Sequence, residues 1–153
     1  MIGVIGIGNT YRRDDAIGII IAKQIKERLD LDVIESSEPS SILEVIDRYD
    51  KVIIIDAMRV KSKVGTIHKF EDEEVFNFDT EYLTSTHSLN VVDILKMLKS
   101  IRAIPKITLY AIEAADFNIG KGLSKELEVN LEEIRDKIVN DIKCSLNSLS
   151  GYN

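Results

Sequence analysis

The feature that most constrains this chain is the order of its first 55 residues, in which strand-like and helix-like patterns alternate. Ile2 to Ile7 is a short run rich in β-branched residues, closed by Gly8 and Asn9, and reads as a buried strand entering a turn. Ile17, Ile21, Ile25 and Leu29 then recur every four residues, with Asp14 or Asp15 as the expected N-cap and Lys26 and Arg28 in the last turn. Leu31 to Glu35 reads as a second strand, and Ser40 or Ser41 is the expected cap of a helix carrying Leu43, Ile46 and Tyr49. Lys51 to Ile55 is a third strand with no polar alternation, so both of its faces must be covered. A repeated β-α-β order with doubly covered strands is satisfied economically by a parallel sheet with right-handed crossovers. Ligands of such a sheet lie beyond the carboxyl ends of its strands.

The second half continues the pattern less regularly. Gly65 to Phe70 resembles an edge strand, and Glu71 to Thr80 is acidic, poorly periodic and read as a surface excursion. Leu89, Val92, Leu95 and Leu98 form a helical stripe after the hydroxyl cluster Thr84 to Thr86, which puts His87 at or just before a helix N-terminus. Ile107 to Ile112 supplies a fifth strand, and a long loop with Gly120 and Gly122 follows. Ser124 is expected to cap one last helix bearing Leu127, Leu131, Ile134, Ile138 and Ile142. The expected fold is a three-layer α/β/α sandwich around a mostly parallel, twisted five-stranded sheet. Residues 1–147 form one domain in this reading, with 148–153 as a frayed tail.

Composition narrows the function. A length of 153 residues, 44% apolar and 30% charged, suits one domain with a continuous core. A net charge of −6, with Arg12 and Arg13 adjacent but no basic stripe, argues against a nucleic-acid partner. No apolar run approaches the roughly 20 residues of a membrane span, and the start has no basic segment leading into a long apolar stretch. A lone Cys144, read as a small semi-buried residue, suits a reducing compartment, so a cytoplasmic protein is expected, monomeric by default.

Several familiar chemistries are missing. The glycines at 3, 6 and 8 do not complete a dinucleotide fingerprint, because Tyr11 stands where the third glycine would follow Gly6 and Gly8. There is no phosphate loop and no G-x-S-x-G elbow, and His68, followed by Lys69 and Phe70, opens no H-E-x-x-H zinc motif. His68 is assigned to an exposed position on the edge strand. A metal would therefore be held mainly by carboxylates. Asp14 and Asp15 open the first helix, where an acid either caps or binds, and adjacent acids turn to different faces. Asp56 ends the third strand, where an acid either makes a turn or faces the ligand crevice. His87 sits among hydroxyls rather than on an apolar face. Neighbouring first and third strands would bring Asp15 and Asp56 to one crevice, which His87 could close. Two carboxylates and one imidazole suit a borderline divalent ion such as nickel or zinc.

Gly6-Ile7-Gly8-Asn9, Asp14-Asp15 with Gly18, Ile55-Asp56-Ala57 and Thr86-His87-Ser88-Leu89 resemble, in this order, the hydrogenase maturation endopeptidases. Ile112-Glu113, Gly120, Gly122-Leu123-Ser124 and Glu126 extend the resemblance almost to the last helix. The resemblance implies an enzyme that removes a C-terminal extension from the large-subunit precursor of nickel-iron hydrogenase after nickel insertion. It implies that Asp15, Asp56 and His87 contact the metal, that the nickel arrives with the precursor, and that no organic cofactor takes part. A sensor that binds the nickel centre of the same precursor without cutting is the alternative. The chain departs from the pattern at Asp15, where many members have the longer glutamate, at Ala16, where glycine is frequent, and at Ala114, where proline is frequent.

Overall fold

The structure, a computed structural model, describes residues 1–80 and 90–150. Strands β1 (Ile2–Ile7), β2 (Asp32–Ser36), β3 (Lys51–Met58), β4 (Ile67–Glu71) and β5 (Lys106–Glu113) form one sheet in the order β2-β1-β3-β5-β4. All neighbours are parallel except β4, which runs antiparallel to β5 at the edge. The helices are α1 (Ile17–Arg28), α2 (Ile42–Val45), α3 (Glu73–Asn77), α4 (Val91–Ile101), α5 (Lys125–Glu128) and α6 (Leu131–Ser150). Two apolar layers sandwich the sheet. Val4, Ile53, Ile55, Tyr110 and Ile112 pack with α1 and α6, whereas Ile5, Ile7, Val52, Ile54 and Leu109 pack with α2, α3 and α4. Successive strand residues thus enter opposite layers, which is why β3 reads as an unbroken apolar run.

Several elements differ from the sequence expectations. β3 extends past Ile55 to Met58, because Asp56, Ala57 and Met58 pair in register with Ala111, Ile112 and Glu113. Neither the Ser40 nor the Ser41 side chain caps α2, a single turn that buries Ile42 and Val45 and leaves Leu43 exposed, and Ile46 and Tyr49 are buried in and just after the 3-10 turn that follows. The acidic stretch after β4 is no mere excursion, since α3 buries Val75 completely. Asp72 makes the reversal possible by adopting φ 45°, and its carboxylate accepts from the Ile107 N–H at 2.9 Å. Asn90 caps α4, its side chain accepting from the Asp93 N–H at 2.9 Å. Ser124 caps only the short α5, and the expected single last helix is interrupted before Leu131. α6 runs to Ser150, three residues into the stretch read as a tail. Cys144 is exposed rather than semi-buried, and His68 on the edge strand contacts Ser62 Oγ through Nε2 at 2.9 Å. Among the described residues no helix is long and apolar enough to cross a membrane.

Candidate active site

Strand order reverses direction at β1, whose neighbours β2 and β3 lie on opposite sides, so a crevice opens beyond the carboxyl ends of β1 and β3. The glycines set how closely α1 approaches that point. A Cβ on Gly18 would lie 2.3 Å from the Ile7 carbonyl oxygen and 2.4 Å from that of Ile55, so the first turn of α1 rests on both strand ends. A Cβ on Gly8 would lie 1.9 Å from the Asp15 carbonyl oxygen. Only hydrogen fits at either position, and the 3-10 turn Arg13–Ala16 is thereby drawn down onto the sheet.

Asp14 and Asp15 lie in that turn and neither caps a helix. Asp14 is completely buried and serves as a clasp. Its Oδ2 accepts from the N–H groups of Ala115 and Asp116, each at 2.9 Å, and from Ser124 Oγ at 2.8 Å, while Oδ1 accepts from the Ser124 N–H at 2.7 Å. Asp15 faces the crevice, and its Oδ2 accepts from the Asn9 N–H at 2.9 Å. Ala16 has φ −73°, so this chain has no use for a glycine there.

Asp56 lines the same crevice from β3, with Oδ1 accepting from the Ala57 N–H at 2.8 Å. Burial pushes its carboxyl well above the usual carboxylate range, the charge of Asp15 pushes it further, and the Ala57 N–H acts in the opposite sense. The remaining walls include Met58, Phe70, Phe78, Leu109 and Phe117. Among the described lining residues only Asp15 and Asp56 carry charge. The site is thus two carboxylates that repel each other in an apolar setting, an arrangement that a divalent cation would relieve.

His87 lies outside the described residues, as does the hydroxyl cluster Thr84 to Thr86. Among the described residues no three His, Cys, Asp or Glu side chains gather as a metal site. Glu113, noted in the sequence as part of a motif, is buried and accepts from the N–H groups of Val60 and Ser62 at 3.1 and 2.8 Å, which ties the β3–β4 connection to β5. The apolar walls were not anticipated. Met58 and Leu109 could have been found, because Met58 is two residues beyond Asp56 on one strand and Leu109 is two before Ala111, the partner of Asp56. Phe78 and Phe117 come from irregular segments that carry no periodic signal.

An α/β domain wound in both directions, with paired carboxylates at its switch point and an apolar cleft beside them, belongs to the class that binds and transforms a ligand at its strand ends. Comparison with known proteins narrows this. Residues 17–141 match the hydrogenase maturation protease (HycI) family, a stretch that begins just after Asp15 and contains Asp56 and the position of His87. The chain belongs to this family and is a peptidase of hydrogenase maturation. It is 29% identical over 143 residues to the hydrogenase 2 maturation protease of Escherichia coli, covering 89% of this chain and 87% of the relative. The structure of the hydrogenase maturating endopeptidase HybD from E. coli superposes with a TM-score of 0.76 at 27% identity, covering 94% of this chain and 93% of the other. A [NiFe] hydrogenase maturation protease HybD from Thermococcus kodakarensis shares the fold, with a TM-score of 0.72 at 23% identity and coverage of 92% and 97%.

Proposed function

We propose that this peptidase removes the C-terminal extension of a nickel-iron hydrogenase large-subunit precursor once nickel has been inserted, and that Asp15, Asp56 and His87 read the nickel. The observation that carries the reading is the convergence of Asp15 and Asp56 on one apolar cleft, where burial and then the charge of Asp15 hold the Asp56 carboxyl well above the usual carboxylate range. A nickel ion held by the precursor and still open to ligands would supply the missing positive charge, and oxygen and imidazole donors suit it. His87 precedes by three residues Asn90, which itself lines the cleft. In this reading nickel is part of the substrate. An empty precursor offers the two carboxylates nothing to neutralise them, so cleavage waits for the loaded centre. The metal then serves as an electrophile and a template beside the peptide bond. The protein supplies the oriented carboxylates and a water-poor wall.

The test is incubation of the purified protein with nickel-loaded and nickel-free precursor, followed by mass spectrometry of the large subunit. Loss of a C-terminal peptide from the loaded form alone is expected. Asp15→Asn, Asp56→Asn and His87→Gln should each lower the processing rate about 100-fold or more, since loss of even an outer-shell partner of a metal costs up to about that factor. A variant that processes at the wild-type rate removes that residue from the ligand set. Stoichiometric binding of the loaded precursor without cleavage would replace the peptidase step with nickel sensing.

A further inference from the structure

The β1–α1 connection and the β5–α5 connection are tied together by backbone hydrogen bonds, an ion pair and a buried carboxylate. Arg13 N–H donates to the Gly120 carbonyl at 3.0 Å, Gly120 N–H donates to the Tyr11 carbonyl at 2.8 Å, and Asp14 N–H donates to the Asp116 carbonyl at 3.0 Å. Arg12 Nε donates to the Phe117 carbonyl at 3.1 Å, the Arg13 guanidinium pairs with Asp116 at 3.3 Å, and the buried Asp14 carboxylate holds the segment at both ends. Arg13 accepts the disfavoured φ of 45° within this arrangement.

What the strap displays does not serve the fold. Tyr11 is 62% exposed and Ile119 is 90% exposed, and neither joins the two apolar layers. The Lys121 ammonium stands 5.6 Å from the centre of the Tyr11 ring. Isolated exposed apolar residues are ordinary on a protein surface. These two, however, sit on hydrogen-bonded segments of a rigid strap, and Phe117, two residues from Ile119, forms part of the cleft wall with Asp15 and Asp56. A tyrosine with a neighbouring cation and a bare aliphatic side chain, held in place beforehand, is the composition of an interface anchor.

We infer that the rim formed by Tyr11, Ile119 and Lys121 is a docking surface for the folded body of the hydrogenase large-subunit precursor. The inference rests on the proposed function, because a chain end delivered to Asp15 and Asp56 brings the surface it emerges from against the rim of the cleft. A pre-ordered rim loses little freedom on association, so its apolar contacts convert into affinity and hold the chain end in place during the nickel check.

The rim is tested with Tyr11→Ser and Ile119→Ser, singly and together, and with Ile101→Ser as an exposed control on α4. Processing rates are measured across a titration of the nickel-loaded large-subunit precursor encoded in the same genome. The double variant is expected to raise the half-saturating precursor concentration about tenfold or more, the scale of a lost interface anchor. Its rate at saturation should stay within about twofold of wild type, and its melting temperature within about 2 °C, as for other exposed substitutions. A double variant with an unchanged half-saturating concentration, alongside a wild type that cuts, overturns the docking role and leaves the proposed function standing. A wild type that fails to cut the loaded precursor overturns both.

Discussion

Asp14 and Asp15 are adjacent acids in one 3-10 turn with separate tasks, and the difference lies in which way each carboxylate faces. Asp14 satisfies four donors from the β5–α5 connection in a completely buried position, whereas Asp15 accepts from Asn9 at the edge of the cleft. An asparagine at position 14 keeps one acceptor oxygen and turns an NH2 group toward at least one of those donors. Each buried donor left without a partner costs about 1–3 kcal/mol. Asp14→Asn is therefore expected to lower the unfolding free energy by about 2–4 kcal/mol, while Asp15→Asn, whose amide oxygen can still accept from Asn9, changes it by less than about 1 kcal/mol. Urea unfolding of the two variants measures this, and equal losses would refute the division of labour. The sequence marked Asp15 as a candidate because adjacent acids at a helix start turn to different faces and because neighbouring first and third strands would bring it to the crevice of Asp56. It could not mark Asp14 as a clasp, because the donors that define the role lie 101 to 110 residues further along the chain. Asp56 was legible for the opposite reason: an acid directly after four apolar strand residues is a local anomaly.

Among the elements, α1 controls the site, because it carries the turn with Asp15 against the ends of β1 and β3. Gly18 sets its height above the sheet. Alanine would favour the helix by about 1 kcal/mol through intrinsic propensity. Its methyl carbon, however, would meet two strand carbonyl oxygens at 2.3 and 2.4 Å, and these cannot yield without disturbing the sheet. Overpacking of this kind costs about 1–3 kcal/mol where side chains can adjust, and backbone atoms place it at the upper end. Gly18→Ala is expected to lose about 2 kcal/mol net and to slow processing by moving Asp15, as thermal melts and the precursor assay would show. A stabilised variant with full activity would mean that the contact is slack. The central strands were readable as unbroken apolar runs covered on both faces, and the long helices because each buries a face with a helical period. The elements misjudged from sequence, α2, α3 and the interrupted last helix, are short and fixed by tertiary contacts. Val75 is buried by packing with residues from other elements, and the Asn90 side chain caps the start of α4.

At the scale of the whole molecule, the cost of placing Asp56 in an apolar cleft is borne by global stability. The folded state holds the Asp56 carboxyl above its ordinary value, chiefly through burial and then through the charge of Asp15. The native protein therefore binds this proton more tightly than the unfolded chain. As pH rises from the unfolded carboxylate value of about 4 through the raised native value, the native state must ionise a group that it prefers neutral, and its stability falls. Other carboxylates act in the opposite direction; Asp141, for example, is lowered although its burial acts to raise it, because the Lys69 ammonium and the Tyr110 hydroxyl donate to its charged form. The pH profile of the wild type alone therefore does not isolate Asp56. The difference between wild type and Asp56→Asn does, because asparagine resembles the neutral acid at every pH. Without metal, in the presence of a chelator, the variant is expected to melt near the wild-type temperature at about pH 4 and above it at pH 7. Each kcal/mol of relief should read as about 2–4 °C in a domain of this size. A gap that stays constant across the range would show that Asp56 titrates as an ordinary surface acid. A gap that opens with pH, in a variant that no longer processes its precursor, would show stability given up at this carboxylate for function.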